Sequence, residues 1–384
     1  MSPRKPRLPF ANAWFFPAAA LYAALLLPWS ILTLLGLVPA LPGLATPAAH
    51  AHEMLFGFAL AVVAGYLLGP QRLGLTLALL ACWCLARLGF LLWPGSWLTA
   101  AASTAFAAGL AWNVVPRFLG AAKKWRNQTV APVVIGLSLL SAGAGLALAR
   151  PFASTLLYEA LLLLALLMFF MGGRILAPAI AGHALSQRRS QDARVQPRIE
   201  GAVLIVLMLA LLLNLLSPWL ASAPLTGGLM LLAGALTTIR LLRWCPWRCL
   251  ERPDLLVLLL GYAWLALGLM LTGLAIAGLL PINAMLHSLT VGALGSLTFG
   301  VMARTRLIYR FRDANARPWI HPLVLLISLA ALARMAPSFT GADQRAWLLA
   351  AAACWSLAFL SLAVLLWQTR DAHPDSGRRT PEAD

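Results

Sequence analysis

Twelve apolar stretches, each close to the twenty or so residues a helix needs to cross a bilayer, divide this chain. They fall at 14–38, 52–69, 73–92, 97–116, 130–149, 154–172, 201–220, 225–242, 254–276, 283–303, 319–336 and 346–368. Between them little remains for a soluble domain. Charged residues make up 11% of the chain and hydrophobic ones 61%, whereas a soluble domain is about 25% charged. The expected fold is an all-α, polytopic membrane helix bundle of about twelve transmembrane helices. Its divisions are a cytoplasmic N-terminal segment at 1–13, the membrane domain at 14–368, and a cytoplasmic disordered tail at 369–384.

The formal net charge of +17 is read as topology rather than as nucleic-acid binding. With the N-terminus in the cytoplasm and sides alternating, 25 of the 29 Lys and Arg residues face the cytoplasm. Only Arg150, Arg334 and Arg345 face outward, and Arg87 is inside a span. This is the positive-inside pattern, and it predicts that both termini are cytoplasmic. Arg4-Lys5-Pro6-Arg7 before an apolar run resembles a signal peptide. The run is long, so a retained first helix is expected, with cleavage near Ala49–Ala51 as the alternative. The segment 174–200 is the longest polar connection. Five cysteines form no disulfide framework, and Cys245-Pro-Trp-Arg-Cys249 lacks the further ligands of a zinc site.

Two spans share a pattern. His52 opens His-Glu-Met-Leu-Phe-Gly and His287 opens His-Ser-Leu-Thr-Val-Gly. Each His is followed by Gly at five and thirteen residues: Gly57 and Gly65, Gly292 and Gly300. In the expected topology both imidazoles lie near the outer surface at one level. An imidazole in a span is costly without a partner, and neutral His is a good ligand for iron or copper. Two readings stay open. In one, His52 and His287 hold a shared haem; in the other, small residues pack helices and the imidazoles are polar caps. His50 is the alternative ligand to His52, and Glu53 can hydrogen-bond a ligand imidazole. Ser288, Gly292 and Gly295 leave one helix face open to a macrocycle or to a neighbouring helix. Arg87 either snorkels or pairs with an anionic group such as a haem propionate. Tyr158 and Glu159 could line the same outer cavity. Arg174 and Arg304 read as anchors at the cytoplasmic border, and His183 and His321 as solvated. No Cys-x-x-Cys-His attachment motif occurs, so any haem is non-covalent.

The chain resembles the NnrS family, polytopic bacterial membrane proteins that contain haem and copper and are linked to nitric oxide stress and denitrification. The stretches that carry the resemblance are His52-Glu-Met-Leu-Phe-Gly-Phe, Gly172-Gly-Arg-Ile, Arg240-Leu-Leu-Arg-Trp244, Gly261-Tyr-Ala-Trp-Leu-Ala-Leu-Gly268 and His287-Ser-Leu-Thr-Val-Gly-Ala. The chain departs from the family pattern at Leu259 and around Tyr309, where members often carry His. The resemblance implies haem b, and copper where its ligands are kept. It also implies the bacterial inner membrane, and nitric oxide and quinol as partners beside the lipid bilayer. Haem–copper oxidases, with one His each from helices 2 and 10 on a low-spin haem, offer a wider analogy of layout. The implied activity is haem-dependent redox chemistry on nitric oxide or a metal–nitrosyl species. The alternative is a transporter or sensor of a small ligand or metal without turnover.

Overall fold

The computed structural model describes residues 8–121, 125–147, 153–189, 195–341 and 343–370. Among these residues there is no strand, and eleven helices are long and apolar enough to cross a membrane. They are α1 (Asn12–Leu34), α2 (Pro47–Leu67), α3 (Leu73–Leu92), α4 (Trp97–Ala121), α6 (Ala153–Ser186), α7 (Pro197–Leu215), α8 (Ala223–Arg243), α9 (Pro253–Ile276), α10 (Ile282–Phe311), α11 (Pro318–Thr340) and α12 (Gln344–Gln368). The shorter apolar helix α5 (Val130–Ala147) fills the remaining expected position. The chain is therefore an all-α polytopic bundle. Most of the expected 1–13 segment and 369–384 tail, together with Arg150, lies outside the described residues.

Helix α6 overruns its expected end at 172 and continues to Ser186. Its apolar face persists through Leu176, Ala177 and Ile180, all buried, so neither the Gly172-Gly173 pair nor Pro178 stops it. The connection expected over 174–200 shrinks accordingly to the residues between Ser186 and Pro197. His183 and His321 are buried, 7% and 4% exposed, rather than solvated. His183 Nε2 lies 3.2 Å from the Arg248 carbonyl, which ties the α6 extension to the loop after α8.

Alternation puts the start of every even-numbered helix at one end of the bundle, the end that carries His52 and His287. Helices α2, α6 and α10 are the most enclosed. They meet around an apolar cavity of about 80 Å³ lined by residues such as Val62, Leu167, Met168 and Leu297. Lipid tails are as apolar as these side chains, so close backbone packing rather than water exclusion holds such helices together. The α8–α9 contact shows this. A Cβ added at Gly227 would lie 2.5 Å from the Gly273 carbonyl oxygen, and one at Gly273 would lie 2.7 Å from that of Gly227. Trp355 of α12 donates to the Ala23 carbonyl of α1 at 3.1 Å and closes the first helix against the last.

Candidate functional site

The two histidine spans adopt the same unusual local structure. Thr46 caps α2 by accepting from the Ala49 N–H at 3.2 Å, and Pro47 occupies the first turn, where its missing N–H costs nothing. The α-helix runs to His52 and then widens into a π-helix over Glu53–Ala59. In α10 the α-helix runs from Ile282 to His287 and widens into a π-helix over Ser288–Gly295. π-Helical turns are rare and concentrate at functional sites. Each of these begins directly after its histidine.

The recurring glycines have a packing role. A Cβ on Gly57 would lie 2.7 Å from the Tyr22 ring, and one on Gly292 would lie 2.6 Å from the Trp264 ring. Gly65 meets Phe16 at 2.7 Å, and Gly300 meets Val257 at 2.8 Å. Each histidine helix therefore packs on its predecessor, α2 on α1 and α10 on α9, through the same two positions. Of the other small residues of α10, Gly295 faces Trp355, and Ser288 donates to the Met285 carbonyl. That face admits neighbouring side chains.

His52 is 1% exposed and sits in a buried polar network. Its Nδ1 lies 3.0 Å from Glu53 Oε1. A carboxylate only accepts, so Nδ1 carries the proton and Nε2 carries the lone pair. Arg87 Nη1 donates to the same Oε1 at 2.5 Å, Nη2 reaches Ser103 Oγ at 3.3 Å, and the Tyr22 hydroxyl donates to Glu53 Oε2. The His52 ring stacks on Phe90 with centroids 4.0 Å apart and planes 9° apart. His52 Nε2 is buried with no hydrogen-bond partner, as is Arg87 Nε. Beside His52 a cavity of about 10 Å³, room for one water, is lined also by Thr99, Ser103 and Ser141.

His287 has other neighbours. Its Nδ1 donates to the Asn283 carbonyl at 2.7 Å, so its Nε2 accepts from Arg334 Nη2 at 3.0 Å. His50, two residues before His52 and so on another side of α2, pairs through Nδ1 with Ser30 Oγ at 2.9 Å. It shares an electrostatic neighbourhood with His287 and Arg334. The imidazole in the charge neighbourhood of His287 and Arg334 is therefore His50, not His52. His52 turns toward α3, α4 and α5. Glu159 accepts from Asn214 Nδ2 at 2.7 Å, in a separate contact between α6 and α7.

A second buried polar centre lies at the opposite end. Arg240 is sandwiched between Phe169 and Trp244, 4.7 and 5.1 Å from the ring centroids. It pairs with Glu200 at 2.8 Å and donates to the Tyr262 hydroxyl at 3.2 Å. Arg174 reaches Glu200 at 3.1 Å, and a Cβ on Gly173 would lie 2.6 Å from Arg240 Nη2. Arg304 pairs with Asp254 at 3.0 Å. Arg174 and Arg304 are thus ion-paired as well as peripheral. Sequence reasoning missed Glu200 and Asp254. Their signal was an acid in the first turn of an apolar helix, next to the basic end of another. Leu259 is buried in the core, and Tyr309 packs edge-on against Phe10. Among the described residues no group of three or more His, Cys, Asp or Glu is placed to hold a metal ion.

The fold and these two centres define a polytopic α-helical membrane protein with interrupted, histidine-bearing helices at positions 2 and 10. The profile described as NnrS protein matches residues 9–369, nearly the whole chain, and the chain belongs to the NnrS family. Comparison with curated proteins finds no match.

Proposed function

We propose that this NnrS-family protein is a haem protein of the bacterial inner membrane, both termini cytoplasmic, acting in nitric oxide stress tolerance. His52 and His287 are the proposed iron ligands. The observation that carries this reading is His52, with its Nδ1 held by a buried carboxylate and its Nε2 buried without a partner. That is the tautomer and orientation of a metal-ligating imidazole, and such carboxylate partners raise ligand basicity. His287 has the same tautomer through Asn283. The free Nε2 lone pair of His52 fits an iron ligand, whereas that of His287 is engaged by Arg334 and would have to be released to bind iron. Arg87 is committed to Glu53 and Ser103, and its Nε is the N–H left for a propionate oxygen. For copper, Leu259 and Tyr309 offer no imidazole.

When bound, haem would supply a one-electron couple and an affinity for nitric oxide, with quinol as the electron source. The protein's own part is positional. Glu53 fixes the His52 ring, Arg87 and Tyr22 hold Glu53, and Phe90 stacks against the imidazole and excludes water from one face. A reduced-minus-oxidised spectrum with pyridine haemochrome, on wild type beside His52→Ala and His287→Ala, tests the reading. Sharp low-spin bands lost or made high-spin in both variants are expected. Haem indifferent to either substitution sinks the shared site.

A second reading, transport or sensing without turnover, draws support from the interruptions in α2 and α10, since broken helices suit transporters. Purified protein free of haem despite ample haem supply would favour it.

A further inference from the structure

At the histidine end of the bundle Arg334 carries a positive charge with no carboxylate opposite it. Three acidic residues lie at that end. Glu53 is taken by Arg87, Tyr22 and His52, Glu159 is in contact with Asn214, and Asp343 caps α12 by accepting from the Arg345 N–H at 2.9 Å. The stretches outside the described residues at this end, 148–152 and 342, contain no acid by sequence. One guanidinium nitrogen of Arg334 donates to His287, while His50, anchored by Ser30, lies in the same neighbourhood. All three side chains are partly exposed. Helices α2, α10 and α11 thus bring one cation and two imidazoles, each partly exposed, to the histidine end of the bundle, with no anion among them.

A half-buried guanidinium is costly when unpaired. Its fork matches a planar oxyanion in bidentate fashion. His287 serves to orient the guanidinium, since its Nδ1–H is given to Asn283 and its Nε2 accepts from Arg334. With Ser30 Oγ donating to its Nδ1, His50 offers Nε2–H as a further donor, whereas a cation would meet repulsion from Arg334. We propose that Arg334, oriented by His287 and flanked by His50, forms a binding site for a small oxyanion of the carboxylate, nitrite or phosphate type. The anion comes either free from the aqueous side or as the phosphate of an anionic lipid headgroup. The site does not depend on haem, although it uses the imidazole proposed above as an iron ligand.

The test uses the full chain, purified without haem in detergent and titrated with sodium nitrite. In a second arm, phosphatidylglycerol is offered in nanodiscs of otherwise zwitterionic lipid. The variants are Arg334→Gln, Arg334→Lys and His50→Gln, each checked for helicity and monodispersity. Arg345→Gln, an exposed arginine at the same end, is the control. Saturable nitrite binding is expected, weakened about tenfold or more in Arg334→Gln, less in Arg334→Lys and His50→Gln, and unchanged in Arg345→Gln. Retention of phosphatidylglycerol with the same Arg334 dependence, without nitrite binding, would support the headgroup source. Binding of neither anion, or binding indifferent to both Arg334 and His50, overturns the proposal. Because His50→Gln leaves the arginine in place, it keeps the test decisive if Arg334→Gln does not fold. A haem spectrum on separately loaded Arg334→Gln bears on the iron reading and leaves the anion result standing.

Discussion

Replacing Glu53 by Gln isolates the interaction on which the His52 site rests. Glu53 and Arg87 are 1% and 3% exposed and 2.5 Å apart at their closest atoms. Bringing two ions into so dry a place costs several kcal/mol each, and their attraction offsets it. Glu53→Gln keeps the shape but removes the charge, so Arg87 is left as a buried cation with Ser103 as its remaining partner. Breaking a buried pair from one side destabilises by about 3–5 kcal/mol, a large share of the roughly 5–15 kcal/mol of a typical fold. Changing both, Glu53→Gln with Arg87→Met, removes the stranded charge and is expected to recover most of that loss. Unfolding in mixed detergent–SDS micelles measures it. Trp83 reports locally, because its indole N–H donates to the Gly57 carbonyl at 2.9 Å inside the same network. A single variant within about 1 kcal/mol of wild type, or a double variant as unstable as the single, would refute the argument that the ion pair, and not packing, holds Glu53.

Other expectations follow from separate contacts. Gly292→Ala drives a methyl group into the Trp264 ring and should destabilise by about 1–3 kcal/mol; the same micelle unfolding, unchanged, would contradict it. Tyr262→Phe removes the hydroxyl that accepts from Arg240 and donates to the Phe169 carbonyl at 3.3 Å. A loss of about 1–2 kcal/mol is expected, and a stabilised variant would show the hydroxyl to be strained. Burial pushes the Cys249 thiol up from its ordinary range, with Arg252 opposing. Its contribution to stability is therefore complete below the ordinary thiol value and is lost as pH rises through the raised one. Maleimide labelling of Cys249 should start only at alkaline pH, and fast labelling at neutral pH in the folded protein would contradict this.

Much of the fold is legible in the chain because bilayer thickness imposes a length on each apolar run. The expected starts at 73, 97 and 130 coincide with those of α3, α4 and α5, and the end at 276 with that of α9. Helix α6 escaped because its final turns bury an apolar face against protein beyond the charged border at Arg174, where hydropathy alone sees an end. The paired motifs were legible as spacing, but their cause was not. Gly57 and Gly292 are small because aromatic rings of the preceding helix lie against them, and which ring does so is a long-range fact. The partner of His287 was hidden for the same reason. Arg334 is 47 residues away and reads in sequence as one of three outward charges, while His50 and His52 differ by only two positions yet serve different neighbours.

The π-helices make the two histidine spans tolerant of a length change at one place only. A π-turn behaves as an α-helix that has absorbed an additional residue without lengthening its path through the bundle. Removing one residue from Glu53–Ala59 would let that stretch relax to an ordinary α-helix with both flanks in register, His52 still against Phe90 and Arg87 and Gly65 still against Phe16. The same holds for Ser288–Gly295 and the contact of His287 with Arg334. One residue removed from the regular helix after either π-turn would instead swing the histidine by about 100° around the helix axis. A homologue shortened inside a π-turn would therefore be expected to keep its histidine end, and one shortened beyond it to lose that end.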